Sequence, residues 1–335
     1  MAPKRPFAIV FIHGLAKKPP PEKLKEIWLW GLSRDNPMPS VFASPNKGLA
    51  LGTAGVPQLF NYYADVFYGV DYETEFDSYY EANEDNEIAL ENLDKFESEL
   101  DPPKPVTPRE RAFLRNFEAK LAANAAVIPS ERPPAPVSVT VGADKYEIAS
   151  WLPANVKQAV IKKAAMEAFY FLFNKEYVRK DGERFMVRQE LRKRLLKELS
   201  DAQNRAEKIV LVSHSMGTMV AYDVLRNCPE CPPVDTLITL GSPLGIREIE
   251  DELIAADADD VDFPAAKLTR WINVYDPLDP VCGADPKLAN DYRPVNGKSV
   301  TDIKESNWGN WRHTITHYFA GTQCRAELAK ALGLA

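Results

Sequence analysis

The chain has 335 residues, 45% of them hydrophobic and 27% charged, the composition of a globular protein whose core is large enough to need no disulfide framework. A prior of about 150 residues per domain allows two domains, or one large α/β domain with insertions. Its 41 basic and 48 acidic residues give a formal charge of −7, which argues against a nucleic-acid partner held through phosphates.

In chain order, the first feature is MAPKRPFAIVFIHG, basic residues followed by an apolar run. The run from Phe7 to Ile12 is shorter than a signal-peptide core and no small-residue cleavage site follows, so it reads as a strand. Trp28 and Trp30 follow, placed to floor or cover a site mouth. YYADVFYG (62–69) reads as a second strand. Residues 71–101 then carry thirteen acids against the single base Lys95. Within this run Ala89, Leu93, Phe96 and Leu100 line one face of a helix. Thr107 and Glu110 form a capping-box pattern, with Pro108 at the first helical position and Phe113, Phe117 and Leu121 continuing the helix. Further helices run from about 154 to 174 and from about 183 to 203, the second with Val187, Leu191, Leu195 and Leu199 at helical spacing.

Beyond them, IVLV (209–212), TLITLG (236–241) and WINVYD (271–276) are short runs apolar at both parities, as strands covered on two faces should be, and a weaker strand lies near 300–303. The alternation of strands and helices predicts an α/β fold with a mainly parallel sheet of about six strands and helices on both faces. The long interval after the second strand predicts a division into a core, residues 1–70 and 151–335, and an acidic helical cap or insertion, residues 71–150. No apolar run approaches the roughly 18–20 residues of a membrane helix. The few cysteines suggest a reducing, cytoplasmic setting. Cys228 and Cys231 form a C-x-x-C, but Cys282 and Cys324 are the only other cysteines and make no second pair, so neither a metal nor a cofactor is expected.

One segment carries chemistry. IVLVSHSMGTMVAYDVL runs from an apolar strand through Ser213-His214-Ser215-Met216-Gly217 into a helical stretch. A sharp strand-to-helix turn lifts the apical serine clear of the sheet, and its neighbours two residues away must be small, which Ser213 and Gly217 are. The N–H groups at the start of that helix face the serine. Upstream, FIHGL (11–15) ends an apolar strand in His13-Gly14.

With these motifs the sequence resembles the α/β-hydrolase superfamily, and within it lipase- and esterase-like serine hydrolases. The resemblance covers about half the chain. It implies Ser215 as nucleophile and the backbone N–H groups of Leu15 and Met216 as oxyanion donors, with His13, Gly14, His214 and Gly217 shaping the site. It also implies the order nucleophile, acid, histidine along the chain. The acid would follow the WINVYD strand, favouring Asp279 with Asp276 as alternate. The histidine would be His313 or His317, and the family spacing to a tyrosine, here Tyr318, favours His313. The implied reaction is hydrolysis of a carboxylic ester, small or lipid-like and apolar, through an acyl-enzyme. Thioester or amide hydrolysis and acyl transfer use the same triad. A third reading is a partner-binding effector module with a gated hydrolase site, whose protein partner docks on the acidic run 71–101.

Overall fold

The computed structural model describes residues 3–14, 18–69, 104–127, 138–141, 144–147, 154–308 and 312–335. Six strands form one parallel sheet: β1 (Arg5–Ile12), β2 (Gln58–Asn61), β7 (Ala206–His214), β8 (Val234–Leu240), β9 (Leu268–Tyr275) and β10 (Val300–Lys304). Their spatial order is β10-β9-β8-β7-β1-β2. The central register sets Ile12 beside Ser213 and His214 beside Leu240, so the C-terminal ends of β1, β7 and β8 finish at one level.

Side chains alternate across the sheet and fill two cores. Val10, Ile12, Ile209, Leu211, Leu237 and Trp271 face one layer; Ile9, Phe11, Val210, Val212, Ile238 and Ile272 face the other. This is the period-two pattern of a sheet buried on both sides, and it explains why the strands are apolar at both parities. The second layer is closed by α1 (Pro21–Ser33), which inserts Leu24, Ile27 and Trp28, and by α9 (Thr322–Ala331). The first is closed by α5 (Val187–Arg205) and α6 (Gly217–Asn227). Val187, Leu191, Leu195, Leu199 and Ala202 of α5 are all buried, each large side chain contributing about 1.5–3 kcal/mol of burial. Asp223 of α6, fully enclosed, accepts forked hydrogen bonds from Arg188 and Arg192 of α5, which ties the two helices together.

Helix α3 (Pro108–Val127) begins as its cap pattern predicts: Glu110 N–H donates to Thr107 Oγ1 (3.2 Å), while the Glu110 carboxylate accepts from Val106 N–H (2.7 Å). Phe113, Phe117 and Leu121 join the same core cluster as α4 (Ala154–Leu172) and the sheet. Phe169 and Phe171 of α4 are also buried there. Arg109 and Lys120 of α3 pair with Glu252 and Glu248 of α7 (Arg247–Leu253). The expected helix around Ala89–Leu100 and the acidic run 71–101 lie outside the described residues. Two small hairpins, β3–β4 (Ser138–Val141, Asp144–Glu147) and β5–β6 (Glu176–Val178, Arg184–Met186), were not anticipated.

Two expectations need correction. The second strand is Gln58–Asn61, not 62–69. Tyr63 spends its N–H on a side chain rather than a ladder, and Asp65–Tyr68 coils into a short helix, α2, whose Asp65 is gripped by Arg194. Trp28 is 1% exposed and lies edge-on to Phe11, Phe60 and Phe319, so it forms core rather than a site mouth.

Candidate active site

The turn after β7 builds the site. Ser215 has φ +56, in the left-handed region that L-residues adopt at a cost of about 1–3 kcal/mol. The surroundings hold it there: Ser215 N–H donates to Leu240 O (2.9 Å), and Thr218 N–H and Oγ1 both donate to Ser215 O (3.0 and 2.6 Å). Thr218 Oγ1 also bonds Ser242 Oγ (2.8 Å). Crowding dictates the small residues. A Cβ at Gly14 would stand 2.5 Å from Ser215 Cβ, and one at Gly217 would collide with the His13 carbonyl oxygen. Ser213, fully buried, keeps its hydroxyl on Ile238 O.

From the other end of the chain, His313 reaches this turn just before α8 (Ile315–Tyr318). Ser215 Oγ lies 2.7 Å from His313 Nε2, and His313 Nδ1 lies 2.7 and 2.9 Å from the two oxygens of Asp279. A carboxylate at Nδ1 fixes the proton there and leaves Nε2 to accept from the serine hydroxyl. Asp279, completely buried, also accepts from Val281 N–H (2.7 Å), Cys282 N–H (3.3 Å) and Tyr318 OH (2.5 Å). Met216 is the N-cap of α6, so its N–H is among those left without an intrahelical acceptor. Leu15 lies outside the described residues.

A sequence model of the PGAP1-like alpha/beta domain matches residues 144–260, the stretch that contains β7, the Ser215 turn, α6 and β8. That stretch is similar to the PGAP1-like alpha/beta domain, and the six-stranded parallel sheet with helices on both faces is an α/β-hydrolase fold. An arylesterase structure aligns over 68% of this chain and 100% of its own length at 9% identity and a TM-score of 0.29. An uncharacterized protein from Pseudomonas aeruginosa aligns over 99% of this chain and 47% of its own length at 10% identity and a TM-score of 0.32. Likenesses this distant carry no functional argument. No curated protein sequence matches the chain.

The remaining residues named from the α/β-hydrolase resemblance fall into place around the turn. His13 is a turn histidine: its Nε2 accepts from Tyr63 N–H (3.0 Å), its Nδ1–H donates to Gly14 O (2.5 Å), and its ring stacks on Tyr63. Burial, aided by the charge of Lys18, lowers its pKa to about 3 and keeps it neutral. His214 is also held neutral by burial, then by the neighbouring His313 and Lys18. Its Nε2–H donates to the His313 carbonyl (2.9 Å) and its ring stacks on the His313 ring at 4.6 Å. Asp276, the alternate acid, instead accepts from Arg312 Nε (2.7 Å), Asn307 N–H and Leu278 N–H, bracing the loop. His317, the alternate base, is buried against Trp308 at 3.6 Å and has no hydrogen-bond partner on either ring nitrogen among the described residues.

Sequence reasoning missed three contributors. Tyr318 served only as a spacing marker, yet it is a ligand of Asp279. Gly241, φ +55, follows β8, and a Cβ there would stand 2.9 Å from Asp279 Oδ2 and 3.1 Å from His313 Cε1. A glycine directly after a buried strand was the available signal. Asn124 of α3 donates to Asp279 O (2.8 Å), a contact no local pattern announces. Cys228 and Cys231 are reduced and buried. Cys231 N–H bonds Cys228 O in a helix-ending turn, and burial pushes the Cys231 thiol up to about 12. Among the described residues no cluster of three or more His, Cys, Asp or Glu has a metal-binding arrangement, and no helix is long and apolar enough to cross a membrane.

Proposed function

We propose that the protein hydrolyses carboxylic esters through an acyl-enzyme on Ser215. The observation that carries this reading is the unbroken hydrogen-bond chain from Ser215 Oγ through His313 to Asp279. A serine hydroxyl is a weak nucleophile, and an imidazole in contact with it takes its proton as the Oγ–carbonyl bond forms. Asp279 holds the ring and stabilises the imidazolium. The N–H of Met216, with that of Leu15 as the second donor, would stabilise the tetrahedral oxyanion; loss of one such donor typically costs about 2.7–4 kcal/mol of barrier. His313 then returns the proton to the leaving alkoxide as the C–O bond breaks. Water, deprotonated by the same imidazole, releases the acid and regenerates Ser215.

An apolar acyl group is the form of substrate proposed, in keeping with a chain that is 10% aromatic. Thioesters and amides would use the same atoms, and a panel of all three substrates ranks them. The test of the central claim is labelling with a fluorophosphonate probe. Wild type should become covalently modified and Ser215→Ala should not. Equal labelling of the two proteins would remove Ser215 from the mechanism.

A further inference from the structure

The carboxylate of Asp279 carries more donors than a base-orienting acid needs, and one is unlike the rest. Val281 and Cys282 supply backbone N–H groups from the acid's own loop. Tyr318 supplies a phenol from the helix that follows the base, bonded at 2.5 Å to Oδ2, the oxygen nearer His313 Nδ1. Phenol and imidazole therefore share Oδ2, while His313 Nδ1 also reaches Oδ1 at 2.9 Å. Tyr318 is fully buried, and burial followed by the negative charge of Asp279 holds its pKa well above the ordinary 10, so it remains a donor.

We propose that Tyr318 is a positioning residue that sets the basicity of the Ser215–His313 pair by drawing charge from Asp279. This inference rests on the hydrolase reading. A phenol hydrogen bond withdraws electron density from the carboxylate, so the carboxylate stabilises an imidazolium less. Deleting the phenol returns that density, and the imidazole then holds a proton to higher pH. The other groups around the pair are fixed. Asp276 is paired with Arg312, His214 is neutral and stacked on His313, and Cys282 Sγ lies 3.8 Å from the phenol oxygen with burial raising its thiol well above 9. Lys18, whose charge acts on His214, is a further cation near the site.

The test compares Tyr318→Phe, which keeps the ring, with 3-fluorotyrosine incorporated at 318, a stronger donor of nearly the same shape. The readout is the pH dependence of kcat/KM on a chromogenic ester. The acidic limb should move up by about half a pH unit or more in the phenylalanine variant and down in the fluorotyrosine variant, with KM little changed. A merely structural role would lower activity or melting temperature without displacing the limb in opposite directions. An unmoved limb in either variant that folds overturns the proposal. Failure of the hydrolase reading is separable: it appears as equal fluorophosphonate labelling of wild type and Ser215→Ala, whatever the limb does.

Discussion

At Gly241 a single added methyl group would touch the acid, the base and the phenol together. Its φ of +55 and the 2.9–3.1 Å spacing to Asp279, Tyr318 and His313 leave no room for a Cβ. Gly241→Ala is expected to lower kcat on the order of 100-fold, because displacing reacting groups by about 1 Å costs that much. KM should change little, and steady-state kinetics on the folded variant check both. Wild-type kcat would show that the pair tolerates displacement. At this scale the sequence was legible where chemistry is local. Ser213, Ser215 and Gly217 occupy one turn, and their steric demands are written in five consecutive residues. The bond between Asp279 and Tyr318 joins positions 39 apart, and only the tertiary fold can bring them together.

Between elements, the strands were readable and their edges less so. Phe7–Ile12 and Ile209–Val212 are apolar at both parities because helices cover both faces. The second strand was misplaced because Tyr62–Gly69 has a strand's composition, while the backbone of Tyr63 is committed to His13 and Asp65 to Arg194. Composition records neither commitment. Helix α3 was legible from its cap and apolar spacing, but not its grip on the acid loop through Asn124. Asn124→Ala removes one donor from the Asp279 carbonyl and leaves the Gly283 N–H as the other. Its cost in stability should be about 0.5–1.5 kcal/mol, read by urea unfolding, with kcat/KM falling less than tenfold. No change in either quantity would mean that α3 exerts no hold on the loop.

Across the whole molecule, one buried carboxyl outside the Ser215–His313–Asp279 chain gives stability its own pH dependence. Glu250 is 4% exposed, and its Oε1 has no partner among the described residues; Asp291 Oδ2 is in the same position. Burial, then Asp291, pushes the Glu250 carboxyl up to about 8, and burial with Asp285 raises Asp291 to about 6. Between the ordinary 4.5 and about 8 the folded chain therefore keeps a proton that the unfolded chain has lost, so stability falls as pH rises through that window. Glu250→Gln removes this proton uptake. Its advantage over wild type in urea unfolding should grow from pH 5.5 to 8.5, and a constant difference would refute the assignment. A last consequence follows from the 98 residues that separate the serine from its imidazole. A nascent chain whose central strands had already paired, but whose final two helices had not yet docked, would possess the hydroxyl without its proton acceptor. On the proposed hydrolytic reading, the hydroxyl gains its proton acceptor only when the C-terminal segment has docked.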